Sequence, residues 1–214
     1  MTRKLTRLQT LFTGGAFALA GIAGAPAAAL AADPSPAVTD PTAAAIVEQV
    51  SAPQTSAPTA QELHPVQITG EQKRFTPDAE QLENAKAIVE TAKEMNLPPR
   101  AWTIAIATSL QESNLHNIGH LGAKNDHDSL GLFQQRPSTG GWGTAEQIQD
   151  PHHASTKFLQ RLIALDGWDQ MPLTKAAQKV QVSAYPEHYA KHEAQAGDII
   201  AAIHGTGPYT DAAK

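Results

Sequence analysis

Hydrophobic and polar positions divide the chain into distinct stretches. Residues 11–32 form an apolar run without a charge behind Arg3, Lys4 and Arg7, and it closes on Ala29-Leu30-Ala31. A basic start, an apolar centre and a small-residue end are the form of a secretory leader with its cleavage site, so residues 1–31 are read as removed on export. Gly14, Gly15, Gly21, Gly24 and Pro26 weaken the run as a retained spanning helix. No later stretch is long and apolar enough to span, so no membrane contact is expected after cleavage. Over 32–74 the pattern disappears into Ala, Pro, Thr, Ser and Gln, punctuated by Pro34, Pro36, Pro41, Pro53, Pro58 and Pro65. That composition predicts a disordered tether.

Periodicity returns near Phe75. Thr76-Pro77-Asp78 supplies a capping hydroxyl, a proline for the first helical position and an acid for the first turn. Leu82, Ala85, Val89, Ala92 and Met95 then recur at helical spacing as far as Pro98-Pro99, which predicts a helix over 77–96. Residues 101–110 are apolar or small on nearly every side, which a helix tolerates only when neighbours bury it all round. This segment is the expected central helix, and Gln111-Glu112-Ser113-Asn114 stand at its end. Residues 115–128 read as a polar loop. Over 129–136 apolar and polar positions alternate up to Pro137, predicting a short β-ribbon. Gly140-Gly141-Trp142-Gly143 make a further loop, and Thr144 and Asp150-Pro151 each open a helix. Phe158, Leu159, Leu162, Ile163 and Leu165 give the second of these a core face. Further helices follow Leu173-Thr174 and Pro186, the last reaching about Ile203. The reading is one mainly α domain over 75–204 with a small β-ribbon, followed by a flexible tail over 205–214.

Composition narrows the chemistry. The chain contains no cysteine, which excludes a lipid-anchored cysteine, a thiol nucleophile, cysteine-ligated zinc and disulfides. The leader holds three of the 16 Lys and Arg and none of the 21 Asp and Glu, so thirteen bases face 21 acids in what remains. An acidic excess of that size argues against a nucleic-acid partner.

Glu112 is the leading candidate for chemistry. A carboxyl at the end of a buried helix is desolvated and sits at the negative end of the helix dipole, and both effects favour its protonated form. A carboxyl kept protonated near neutral pH can donate to a leaving oxygen, as glycosidic cleavage requires. Around it three motifs stand in order: Gln111-Glu112-Ser113-Asn114, then Gly131-Leu132-Phe133-Gln134-Gln135-Arg136-Pro137, then Ala184-Tyr185. With them the sequence resembles the lysozyme-like lytic transglycosylases, in a branch seen in exported actinobacterial proteins. Their pattern is a helix-borne Glu-Ser, a Gly-Leu-x-Gln ribbon and a later Ala-Tyr-Asn.

The resemblance spans about 75–204 and implies a lysozyme-like fold, peptidoglycan glycan strands as the partner, a secreted and wall-associated location, and no cofactor or metal. It implies Glu112 as the single acid and base, Ser113 as its neighbour, Leu132, Phe133 and Gln134 along the glycan groove, and Tyr185 opposite, near the acid; Gln135 is a further substrate-binding candidate. Trp142, an aromatic in a glycine-rich loop, is added as a sugar-stacking candidate, whereas Trp102 reads as core. The chain departs from the family at Pro186, which stands where the family has Asn; Gln135, Asn114 or Asn125 could supply the missing amide. A hydrolase would need a second carboxylate, for which Asp126 and Asp128 are the candidates. Two alternatives stay open: a glycan-binding protein that no longer cuts, suggested by Pro186, and a metal-dependent wall hydrolase built on His188 and His192, one helical turn apart.

Overall fold

The computed structural model describes residues 56–212. The expected leader over 1–31 and the tether as far as 55 lie outside the described residues. Among the described residues seven α-helices follow in order: α1 (Ala60–Leu63), α2 (Ala79–Glu94), α3 (Pro99–Ser113), α4 (Ala145–Ile148), α5 (Pro151–Ile163), α6 (Leu173–Gln181) and α7 (Glu193–Ile203).

The central helix is α3, packed against α1, α2, α5, α6 and α7. Every residue from Pro99 through Leu110 is buried. Its polar side chains survive there by bonding within the helix: Thr103 and Thr108 return their hydroxyls to the carbonyls of Pro99 and Ile104. Trp102 sits in the core, its indole N–H donating to Leu97 O at 3.0 Å. Helix α2 starts two residues later than Thr76-Pro77 suggests, because Asp78 forms a reciprocal capping box with Gln81. Thr144 and Asp150 cap α4 and α5 as expected. On α5, Phe158, Leu159 and Leu162 are buried, while Ile163 faces solvent.

The β-ribbon expected over 129–136 does not form: no described residue lies in a β-strand. Leu130 and Gln135 make one isolated antiparallel bridge. Between them the chain reverses at Gly131 (φ 72°) and Gln134 (φ 47°). The alternation is misleading because Leu132 and Phe133, neighbours in sequence, are both buried. A flat ribbon would send one of them to each face. Glycine is required at the first reversal: a Cβ on Gly131 would lie 2.5 Å from the Ile148 carbonyl oxygen, so the turn presses against α4.

The folded unit also extends past both expected borders. Leu63 is buried in the core cluster, and the Gln72 side chain bridges Ala190 O and Ala194 N at 2.9 Å each. Arg74 pairs with Asp198 on α7. Residues 59–74, tether by composition, therefore lie as a strap across α3 and the start of α7. At the other end, Tyr209 packs against the core and Thr206 N–H donates to Ala201 O at 2.8 Å, so the expected tail is anchored in part.

Candidate active site

Glu112 occupies the last turn of α3, which is terminated by left-handed Asn114 and Leu115 (φ 55° and 60°). The freed carbonyls at this end are met from α2: Gln81 donates to Asn114 O and Asn84 to Leu115 O, both at 2.8 Å. Ser113 is tied down on the next face, its hydroxyl donating to Leu132 O at 2.8 Å and to Ser109 O at 3.2 Å. The helix end and the 130–135 turn are thus fastened together directly behind Glu112.

In front of Glu112 opens a cleft of about 560 Å³. One wall comes from the loops, with Asp126, Ser129, Gln134, Gln135, Arg136, Thr139 and Trp142; the other comes from Val180 and Gln181 of α6 and residues 182–185. Arg161 of α5 also reaches the cleft. Glu112 is half-buried, and that burial raises its pKa above the usual carboxylate range. Hydrogen bonds from Tyr189 and Gln181 work against the rise, and the charge of Asp126 adds to it. The Tyr189 hydroxyl donates to Glu112 Oε1 at 2.6 Å, and Tyr189 itself is fully buried. Burial first, and then Glu112, push that phenol far up, so it stays protonated and donates at any physiological pH.

The expected site residues divide into two groups. Gln134, Gln135, Trp142 and Tyr185 line the cleft with Glu112. Ser113, Leu132 and Phe133 are buried behind it, where they hold the turn; the Phe133 carbonyl accepts from Gln181 at 2.8 Å. Tyr185 stands at the rim, 62% exposed and stacked on His188 at 4.8 Å, and the phenol that reaches the acid belongs to Tyr189. Tyr189, Gln181 and Arg161 were not singled out by sequence. The signal available for Tyr189 was only its place one helical turn beyond Tyr185, and nothing local marked the other two.

Of the two aspartates, Asp128 is engaged: Ser138 donates to it through its N–H and hydroxyl, and Arg136 through Nε. These bonds, the Ser138 N–H foremost, hold its carboxyl down at about 2. Asp126 faces the cleft with its side chain 85% exposed. Pro186 contributes only its carbonyl, which accepts from Thr174 at 2.6 Å. Asn125 pins its own loop, bonding Leu121 N, His127 O and Ser129 O; among the amides considered for the place of the family's Asn only Gln135 borders the cleft, and it is buried with its amide donating to Ala154 O at 3.0 Å.

His188 and His192 do not converge. His188 lies flat on Tyr185, whereas His192 is buried with Nε2 3.3 Å from Gln111 Oε1. Among the described residues no three His, Asp or Glu side chains come together as a metal site, and no helix is long and apolar enough to cross a membrane. No protein-family model matches the chain, and no curated protein matches it.

Proposed function

We propose that the chain is an exported enzyme that cuts the glycan strands of peptidoglycan by the lytic transglycosylase route, with Glu112 as both acid and base. The observation that carries this reading is a carboxyl at an open cleft whose pKa burial raises and which the buried Tyr189 hydroxyl orients. The amides of Gln111, Gln134 and Gln181 along the cleft suit hydroxyl and N-acetyl groups, and the exposed Tyr185 offers a flat apolar face for a sugar ring, whereas Trp142 is only 8% exposed and covered by Arg161.

In the proposed reaction Glu112 gives its proton to the oxygen that links N-acetylmuramic acid to N-acetylglucosamine, and the bond from that oxygen to the muramoyl anomeric carbon breaks. The muramoyl 6-hydroxyl oxygen then bonds to the same carbon and passes its proton to the Glu112 carboxylate. The acid is restored, no water is consumed and the product is a 1,6-anhydro sugar. Tyr189 holds the carboxylate between the two transfers. The steps draw on no metal or cofactor. A hydrolytic variant would need a second carboxylate to activate water. Asp128 is committed to Ser138 and Arg136, so that role would fall to Asp126.

Mass spectrometry of the soluble products from purified peptidoglycan tests the proposal. Anhydro-muropeptides that disappear with Glu112→Gln are the expected result. Reducing-end products lost in Asp126→Asn would replace the route by hydrolysis. Retained binding with no products from the native protein would make the domain a binder and overturn the enzymatic reading.

A further inference from the structure

Two arginines line the cleft, and their surroundings differ. Arg136 is neutralised by Asp128, 3.1 Å away. Arg161 makes no ion pair with any described residue; its guanidinium lies over the Trp142 ring, 3.5 Å from the centroid, and donates only to Gly140 O at 3.4 Å. A guanidinium has five N–H donors, so most of this one's hydrogen-bonding capacity is unspent. Stacking on an indole fixes its plane before any ligand arrives, which lowers the ordering cost of a bidentate contact. The glycine pair makes the arrangement possible. A Cβ on Gly141, where φ is 78°, would lie 2.7 Å from Arg161 Nη2.

We propose that Arg161, held flat on Trp142, is a subsite for a carboxylate carried on the glycan strand, and that it sets the register in which the strand enters the cleft; the inference rests on the glycan-strand reading above. The other charged groups facing this space, Glu112 when ionised and Asp126, repel such a carboxylate, and Arg136 is already paired. An anionic substituent is therefore favoured only at the Arg161 end. The carboxylate has two sources on such strands, the stem peptide and, once the stem is removed, the muramoyl lactyl group.

The test is the affinity of the full-length Glu112→Gln protein, at low salt, for three short glycans. One carries stem peptides, one has free lactyl carboxylates, and one has those carboxylates converted to amides. The expected result is about tenfold or tighter binding of at least one carboxylate-bearing ligand over the amide, as suits a charge-assisted contact. A preference for the stem-bearing ligand alone assigns the peptide carboxylate, and a preference for the denuded strand assigns the lactyl one. Adding Arg161→Gln should bring all three to the affinity of the amide. Equal binding of the three ligands by Glu112→Gln overturns the subsite while leaving the glycan reading intact. Binding of none overturns both.

Discussion

The Tyr189 hydroxyl donates to Glu112 Oε1 at 2.6 Å across two elements 77 positions apart in the chain. A hydrogen bond to a carboxylate favours the charged form, so this contact opposes the rise that burial imposes on Glu112. Tyr189→Phe keeps the buried ring and removes the donor, and the Glu112 pKa is expected to climb further. Carboxyl titration by NMR and the descending limb of the pH–activity profile, where Glu112 loses the proton it must donate, should both move to higher pH, with a stability cost of about 1 kcal/mol for the lost bond. A titration that stays in place, or moves down, contradicts this account of Glu112.

The raised pKa also links folding to pH. A carboxyl whose folded pKa exceeds its unfolded one contributes its full stability below the unfolded value, and loses it as pH rises through the folded value. Glu112→Gln imitates the neutral form at every pH. Its thermal midpoint should match the native protein's near pH 4 and exceed it at pH 8, the gap opening as Glu112 ionises. A variant less stable than the native protein at pH 8 would mean that the carboxylate is better accommodated than its burial implies. Stabilisation on removing the acid would be the usual mark of a group retained for chemistry at a cost to the fold.

Local pattern was enough to place α3 and the acid, because burial on all sides and the change to Gln-Glu-Ser-Asn are written within one segment. It was also enough for the caps at Thr144 and Asp150, whose bonds reach only to the next turn. It failed over 129–136, where alternation suggested a ribbon. The tight turn is imposed by the approach of Gly131 to Ile148, a contact that no short window contains. The strap over 59–74 was hidden for the same reason. Its composition is that of a linker, and what orders it is α3 together with residues 190–198, the latter more than 100 positions further on. Tyr189 and Arg161 owe their places to tertiary packing alone, which is why Tyr185 drew the attention that belongs to Tyr189.

His192 gives a second pH effect of different sign. Burial, with help from Lys191 and Lys73, lowers its pKa to about 4, and Nε2 lies 3.3 Å from Gln111 Oε1. Between about 6.5, where an unfolded histidine titrates, and 4, the unfolded chain gains a proton that the native imidazole refuses. The stability associated with neutral His192 is thus complete above that window and is lost as pH falls through it, by up to ~3 kcal/mol. His192→Gln should flatten this part of the denaturation profile. Unchanged steepness from pH 6.5 to 4 would remove His192 as its source.

The contact that fixes the strap lies at the buried junction of α3 and α7. Arg100 Nη1 is 2.5 Å from Glu193 Oε1 and 3.2 Å from Leu63 O, while Nη2 donates to Met171 O at 3.1 Å. His64 Nδ1 approaches the same carboxylate at 3.5 Å, and its ring fills the space over Gly197, where a Cβ would lie 2.5 Å from Nε2. Burial alone would raise the Glu193 pKa, but the neighbouring His64 and the hydrogen-bonded Arg100 guanidinium outweigh it and leave the carboxyl below its usual range. Removing one charge strands the other in the interior, so Glu193→Gln or Arg100→Met should each cost about 3–5 kcal/mol. The Arg100→Met, Glu193→Gln double variant should cost clearly less than the sum of the single changes. Hydrogen exchange should then show amides of 59–74 opening in both single variants while those of α2 stay protected. Additive losses, or a strap as protected as in the native protein, would show that the pair does not hold this segment to the domain.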